Sequence, residues 1–304
     1  MVKTLMIAGT LIGVGTVVAF SGTGGGNTVV SSFRAGRAEN ASINLAAPSS
    51  VVKNSNKELP AARIELSKSN SLVFRGEVDG LSVSKAQQAL LNLDKKLAKG
   101  LPIYLVLDTP GGDIMAGNQL IDTAKSINRP IHTITIFAAS MGFNIVQRLN
   151  NRYILPSGTL MAHRARVGGV GGQIPGEFIT AAATLYNLVL RMENQNASRL
   201  GINMDSYTSL VKDEYWVDGE DSVRQNAADS LAYITCDSSL SGSSKEIMNT
   251  FFGPIELEWS NCPAVTQPLG FSMGGGGEEG AGDRVRDIKK LLTSRKQFRQ
   301  LELK

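Results

Sequence analysis

Phe137-Ala-Ala-Ser-Met-Gly-Phe143 is the stretch around which the rest of the chain is arranged. An apolar run with strand character, residues 131–136, precedes it, and a run that favours a helix, residues 143–149, follows it. A serine at such a junction lies where free N–H groups and the positive end of the helix dipole stabilise developing negative charge. Ser140 is therefore a candidate nucleophile, although a serine before a helix more often acts as a cap.

One of the chain's two histidines is placed to act as the base for this serine. A hydroxyl is a poor nucleophile until a base takes its proton. His163 lies 23 residues after Ser140, at the end of a second strand-like run. His132 lies inside the strand before the nucleophile, and we interpret it as structural. Because Gly111 and Gly112 close an earlier strand, the sequence indicates a serine hydrolase whose parts lie on neighbouring loops.

Three motifs together resemble the proteolytic subunit of the Clp protease. They are Pro-Gly-Gly at 110–112, Ala-Ser-Met-Gly at 139–142 and a strand that ends in His163, in the family's order and at similar spacing. The resemblance covers residues 72–232 and implies a ClpP/crotonase-like α/β fold of repeated β-β-α units wound into a superhelix. The alternation of strands and helices independently favours an α/β domain with a parallel sheet.

The same resemblance assigns roles to three side chains. Ser140 would be the nucleophile and His163 the general base. A carboxylate about fifty residues further on would hold the imidazole tautomer and stabilise the imidazolium. Asp213 is the best match for that carboxylate, and Asp205 and Asp218 are its competitors.

The resemblance also supplies the donors that would bind the oxyanion. They are the backbone N–H groups of Gly111 and Met141, with Gly112 permitting the turn. Glycine suits this role because the absent Cβ lets the backbone approach the substrate closely. No metal or cofactor is expected.

These assignments imply a serine endopeptidase that cleaves peptide bonds through a Ser-His-Asp triad. Three alternatives stay open: a crotonase-like acyl-CoA enzyme, a signal peptide peptidase-like hydrolase with a lysine base, and a catalytically inactive scaffold of the same fold. A crotonase-like enzyme does not need the pair of Ser140 and His163, and a histidine at this spacing argues against a lysine base. The intact pair argues against the scaffold without excluding it.

The composition and the two ends of the chain indicate how it is divided into segments. The 304 residues are 42% hydrophobic, and the net charge of +4 falls largely in the C-terminal tail, so no nucleic-acid partner is predicted. Residues 1–21 predict a signal peptide or membrane anchor and 22–60 a flexible linker. Residues 61–235 would form the peptidase domain, 236–272 a C-terminal extension, and 273–304 a glycine-rich linker with a basic amphipathic tail.

We therefore expect an exported protein, periplasmic or extracellular, or one anchored in the membrane by its N-terminus. Its substrates would be peptides or unfolded proteins. The resemblance implies a homo-oligomeric ring, and an ATP-driven unfoldase would be a partner if the enzyme faced the cytosol.

A helix with one apolar face is predicted after the glycine-rich stretch 167–176. Its apolar residues recur at four-three-four-three spacing and are Phe178, Ala182, Leu185, Val189 and Met192. The pattern alone fits a core helix, whereas the resemblance implies a projecting handle helix that packs on another subunit.

Cys236 and Cys262 are the only cysteines. In an exported chain they would form a disulfide across 26 residues, worth about 3 kcal/mol. Two unrelated buried thiols are the alternative.

Overall fold

The computed structural model describes residues 58–166, 176–250 and 253–273. The predicted signal or anchor segment, nearly all of the predicted linker, the stretch 167–175 and the tail from residue 274 lie outside these ranges. Among the described helices, none is both long and apolar enough to cross a membrane.

Seven strands of the described ranges form a central sheet that is parallel except for one strand. Across the sheet the parallel strands are β1 (Ala61–Leu66), β7 (Ser230–Cys236), β5 (Arg152–Ala162), β4 (Ile131–Ala139), β3 (Ile103–Thr109) and β2 (Ser71–Arg75). The antiparallel strand, β6 (Tyr215–Asp218), pairs with the end of β5. The predicted α/β class with a mostly parallel sheet is confirmed.

Six α-helices of the described ranges connect these strands. They are α1 (Gly80–Lys96), α2 (Ile114–Ser126), α3 (Met141–Arg148), α4 (Glu177–Leu200), α5 (Met204–Leu210) and α6 (Gly219–Arg224). The position of Asp113 after the Pro-Gly-Gly turn predicts a helix cap, and its side chain caps α2 by accepting a hydrogen bond from the Ala116 N–H at 2.7 Å. For α1 the sequence predicts Ser82 or Ser84 as the cap, but the cap is Asp79. The Ser82 N–H donates to the Asp79 carboxylate, and the Ser82 hydroxyl accepts the Asp79 N–H in return.

The runs 153–155 and 159–162, interrupted by residues 156–158, predict two short strands, but the segment before His163 is one long strand. The register between β4 and β5 shifts between Thr135 and Phe137, so the interruption is absorbed as an irregularity. A Cβ at Gly158 would lie 2.7 Å from the Thr135 carbonyl oxygen, and only glycine fits this close approach.

The two faces of the central sheet carry separate cores because side chains alternate along each strand. On β3, Ile103, Leu105 and Leu107 join the larger cluster, to which α1, α2 and α3 contribute buried side chains. Val106 points to the opposite face, where it clusters with Ile134, Ile136, Leu155 and Leu240. Among the described residues, no α-helix contributes a buried side chain to this second cluster.

The C-terminal extension covers part of that second face. It forms an antiparallel sheet in the order β10 (Gly270–Met273), β9 (Gly253–Ser260) and β8 (Ser243–Thr250). A disulfide joins Cys236 and Cys262, whose Cα atoms are 5.8 Å apart. The Arg75 guanidinium of β2 also lies 3.7 Å from the centroid of the Trp259 ring of β9, so the extension is attached to the sheet at two places.

Helix α4 leaves the body of the domain over its first half. Ile179 and Tyr186 are 53% and 64% exposed, whereas Met192, Ala197 and Leu200 in the second half are buried. The helix therefore projects, as the resemblance implied. Its packing against another subunit stays a prediction.

Candidate active site

Ser140 occupies a strained backbone position between β4 and α3. Its φ of 55° and ψ of −114° lie where few residues other than glycine are found. Its N–H donates to the Met161 carbonyl of β5 at 2.9 Å, which ties the junction to the neighbouring strand. Such strain persists only where the surroundings enforce it, and it clusters at functional sites.

The Pro-Gly-Gly turn packs directly against this junction. Gly111 has a φ of +92°, and a Cβ there would lie 2.7 Å from the Ser140 Cβ and 2.8 Å from the Met141 nitrogen. Val78 holds the turn in place, because its N–H donates to the Gly111 carbonyl and its own carbonyl accepts the Asp113 N–H. The turn is therefore fixed beside the first turn of α3, and glycine is required at 111.

The two predicted oxyanion donors, the N–H groups of Gly111 and Met141, differ in whether they already donate a hydrogen bond. Met141 is the first residue of α3, and its N–H has no hydrogen-bond partner in the part of the chain that the structure describes. The Gly111 N–H instead donates to the buried Thr109 hydroxyl at 3.0 Å. The N–H of the next residue, Gly112, has no partner among the same residues. The turn thus presents its free donor one residue later than the sequence predicts.

Ser140 and His163 follow neighbouring parallel strands at the same edge of the sheet. Ala139 pairs with Met161, so the serine comes one residue, and the histidine two residues, after a paired position. His163 is half-buried, and its Nδ1 lies 2.6 Å from the Arg164 carbonyl oxygen. With a proton on Nδ1, this contact leaves Nε2 as the acceptor. Within the described ranges no hydrogen bond joins the two side chains, an arrangement common before substrate binds.

The three aspartates that compete for the orienting role lie in different settings. Asp213 is exposed and forms no hydrogen bond within the described residues. Asp205 lies in the first turn of α5. Asp218 caps α6 by accepting the Asp221 N–H at 2.9 Å, so its carboxylate is already engaged.

Glu214 is a carboxylate at this edge that the sequence prediction missed. The antiparallel register of β5 and β6 ends with the pair of Ala162 and Tyr215, and Glu214 lies just before β6 with a φ of 67°. The signal for Glu214 in the sequence is its position directly before Tyr215, the aromatic residue with which β6 begins.

A chain of partly buried polar side chains supports the backbone of Ser140, the candidate nucleophile. The Asn144 side chain donates to the Ser140 carbonyl at 3.0 Å, and the Asn196 side chain of α4 donates to the Asn144 oxygen at 2.7 Å and to the Tyr207 hydroxyl of α5 at 3.0 Å. Burial raises the pKa of Tyr207 to about 12, which keeps its hydroxyl protonated. These contacts link the nucleophile helix to α4 and α5.

The second histidine lies between two strands in an aromatic setting. The rings of Tyr104 and Tyr153 lie beside His132, and the centroid of each is 5.8 Å from the centroid of the imidazole. The His132 Nδ1 accepts the Asn151 N–H at 3.2 Å. Burial lowers the pKa of His132, which favours the neutral form of the ring. This setting agrees with a structural role. Elsewhere in the described ranges, no group of three or more His, Cys, Asp or Glu side chains is arranged to hold a metal ion.

Comparison with known proteins matches this region to one family. The family model described as Clp protease matches residues 54–232. The chain is 28% identical, over 169 residues, to the ATP-dependent Clp protease proteolytic subunit of Streptococcus pyogenes serotype M5 (strain Manfredo), covering 55% of this chain and 86% of the relative. The subunit of the same name from Streptococcus equi subsp. equi (strain 4047) matches to the same extent. The matched segment contains the whole candidate site and ends before the C-terminal extension.

Proposed function

Because the chain belongs to the Clp protease family, we propose that it is a serine endopeptidase with Ser140 as nucleophile and His163 as general base. The Ser140 hydroxyl attacks the peptide carbonyl while Nε2 of His163 takes its proton. The imidazolium then returns that proton to the leaving amine, and water hydrolyses the acyl-enzyme by the same steps. The observation that carries the proposal is the strained Ser140 junction, bonded to Met161 two residues before His163.

The oxyanion of the tetrahedral intermediate would lie between α3 and the Pro-Gly-Gly turn. The free Met141 N–H at the start of α3 is one donor, aided by the positive end of the helix dipole. The glycine turn supplies the second. The unpartnered Gly112 N–H is available, whereas the predicted donor, Gly111, must first release the Thr109 hydroxyl.

The third member of the triad would come from the turn before β6. Asp213 is the candidate from family spacing, and it is exposed in the turn before β6. Glu214, the next residue, is the other carboxylate of that turn. The acid of the triad is therefore a carboxylate of the 213–214 turn.

Labelling with a fluorophosphonate tests the nucleophile directly. We expect one adduct per folded chain on Ser140, seen by intact mass and peptide mapping. Ser140→Ala should abolish labelling and peptidase activity, and His163→Ala should slow labelling by at least a hundredfold. Ser84→Ala, which alters an exposed serine of α1, is the matched control. Folded protein without label, or label that survives Ser140→Ala, would contradict the assignment and favour the inactive scaffold.

We further propose that the protein works as a homo-oligomeric ring on peptides or unfolded segments. The exposed apolar side chains on the projecting half of α4 support this assembly. The Cys236–Cys262 disulfide supports an oxidising compartment, as expected for an exported or outward-facing enzyme. An unfoldase partner would instead require a site that faces the cytosol. Intact mass of protein from its native compartment, with thiol alkylation, tests the leader and the disulfide together.

A further inference from the structure

The Met141 N–H, one of the proposed oxyanion donors, belongs to the same peptide unit as the Ser140 carbonyl. A trans peptide unit is planar, so its C=O and N–H point in opposite directions and turn together. The direction of the Met141 N–H is therefore fixed by whatever holds the Ser140 carbonyl. Because Ser140 has an unusual ψ of −114°, backbone preference alone does not hold this peptide unit in place.

Asn144 donates twice to the Ser140 carbonyl. Its backbone N–H reaches the Ser140 oxygen at 3.3 Å, and its side-chain Nδ2 reaches the same oxygen at 3.0 Å. The backbone contact is longer than most N–H···O hydrogen bonds, whereas the side-chain contact has an ordinary length. The Asn144 side chain is therefore the closer of the two donors that keep the carbonyl, and with it the Met141 N–H, in one orientation.

Two buried side chains lock Asn144 in turn. The Asn196 Nδ2 donates to the Asn144 Oδ1 at 2.7 Å and to the Tyr207 hydroxyl at 3.0 Å. Asn196 and Tyr207 are 1% and 2% exposed, so water does not compete for these hydrogen bonds. Because its oxygen is bonded to Asn196, the Asn144 amide keeps its Nδ2 toward Ser140.

One buried atom in this set of hydrogen bonds has a cost for stability. The Asn196 Oδ1 has no donor within the described residues, although it is buried. An unsatisfied buried acceptor destabilises a fold, and apolar side chains at the same positions would avoid that cost. The amide pair between α3 and α4 is therefore better explained by its effect on Ser140 than by helix packing.

We propose that Asn144 is a positioning residue that, through the Ser140 carbonyl, aims the Met141 N–H at the oxyanion of the tetrahedral intermediate. Asn196 and Tyr207 hold Asn144 in the orientation that does so. The inference rests on the proposed serine peptidase function and adds a residue to its oxyanion site. Asn144 acts from the carbonyl side of the peptide unit and transfers no proton.

Asn144→Leu tests the proposal by peptidase kinetics and by fluorophosphonate labelling. The variant keeps a side chain of similar size but removes both polar atoms, so the peptide unit between residues 140 and 141 can turn. We expect kcat to fall on the order of tenfold to a hundredfold while KM changes less than about threefold, because an oxyanion donor acts in the transition state. Labelling should slow but still reach one adduct per chain, whereas a misfolded variant would reach less.

Inhibition by a peptidyl boronate is a readout that a purely structural role would not move. One oxygen of the tetrahedral adduct occupies the place of the oxyanion, so the inhibition constant of Asn144→Leu should rise by about the same factor as kcat/KM falls. Asn194→Leu is the matched control, because the Asn194 Nδ2 also donates to a carbonyl four residues earlier, that of Leu190, at an exposed part of α4. It should behave like the parent.

Tyr207→Phe keeps the proposal testable if Asn144→Leu folds poorly. It removes only the hydroxyl at the far end of the hydrogen bonds, and kcat should fall by about threefold at an unchanged KM. Parental kcat and boronate affinity in Asn144→Leu, or in Tyr207→Phe where Asn144→Leu does not fold, would overturn the inference. A parent protein that the fluorophosphonate does not label would reject the peptidase proposal itself, which separates the two failures.

Discussion

The two faces of the central sheet are covered in different ways, although the same strands supply both. Helices α1, α2 and α3 cover one face with a large continuous core that includes Leu120 and Phe143 at zero exposure. On the opposite face, the extension adds Leu240 and the two bridged cysteines to the core, as far as the described residues show. The three-stranded sheet of the extension has a separate small core of Ile255, Leu257 and Trp259.

This difference separates what the family supplies from what this chain adds. The match to the Clp protease family ends at residue 232, before the extension begins. A three-stranded sheet with so few buried side chains is marginal by itself, so it depends on attachment to a larger body. The disulfide and the Arg75–Trp259 contact provide that attachment. The site, in contrast, is built entirely from residues that the family match includes.

The largest effect is expected on the helix-covered face. Leu120→Ala removes a side chain with zero exposure and should lower the free energy of unfolding by about 2–5 kcal/mol. Urea unfolding followed by far-UV circular dichroism measures it. Leu91→Ala, at a leucine of α1 that is 39% exposed, should cost less than about 1 kcal/mol. Equal losses of unfolding free energy in the two variants would show that the buried Leu120 stabilises the fold no more than the partly exposed Leu91.

Removing the disulfide should act mainly on the extension. A Cys236→Ala, Cys262→Ala double variant loses a link across 26 residues, worth about 3 kcal/mol in the chain-entropy account. We expect proteolysis within residues 237–273 at protease levels that leave the parent intact, with fluorophosphonate labelling of Ser140 retained. Reduced parent protein should behave in the same way. Loss of labelling in both samples would show that the two faces are coupled.

The Arg75 guanidinium, which lies over the Trp259 ring, should contribute less than the disulfide to holding the extension on the sheet. Arg75→Met keeps an apolar stem but removes a guanidinium 3.7 Å from the buried indole, which should cost about 1–2 kcal/mol. Fluorescence of Trp259 in a Trp216→Phe background reports release of the extension. Arg63→Met is the matched control, because its guanidinium lies 5.7 Å from the half-exposed Tyr233 ring. The prediction is wrong if both variants shift the fluorescence equally.

The smallest expected effect is on the pH dependence of the free energy of unfolding, and it comes from an ion pair at the helix-covered face. Burial would raise the pKa of Asp229, but hydrogen bonds from the buried Arg152 outweigh it and hold the pKa below its usual value. The carboxylate therefore stabilises the fold above its unfolded pKa of about 4, and that contribution is lost as the pH falls through the lowered value. Asp229→Asn should flatten the fall of unfolding free energy in this range. An unchanged acid profile would show that the pair is not linked to folding.

Local patterns were enough to predict the parallel sheet, the cap at Asp113 and the helical period of α4, because periodicity and short motifs encode them. The projection of α4 was implied only by the family resemblance. Features set by pairing between distant segments were not predicted. The antiparallel pairing of β6 with the end of β5 depends on contacts between segments that are distant in the sequence. The Thr109 hydroxyl that engages the Gly111 N–H depends on the folded turn.

The strands of the C-terminal extension were not predicted, for a different reason. Strand β9 alternates buried and partly exposed residues from Ile255 to Trp259, a period-two pattern that is present in the sequence. The family resemblance ends before this segment and therefore gives no support to that pattern. A short alternating run is a weak signal until a larger apolar surface is available to pack against it.

The left-handed backbone at Ser140 has a practical consequence for trapping substrates. An alanine there removes the hydroxyl but keeps the torsional penalty, whereas glycine relaxes it. A Ser140→Gly chain should therefore melt at a higher temperature than Ser140→Ala, and it would be the better starting material for crystals with an uncleaved peptide bound.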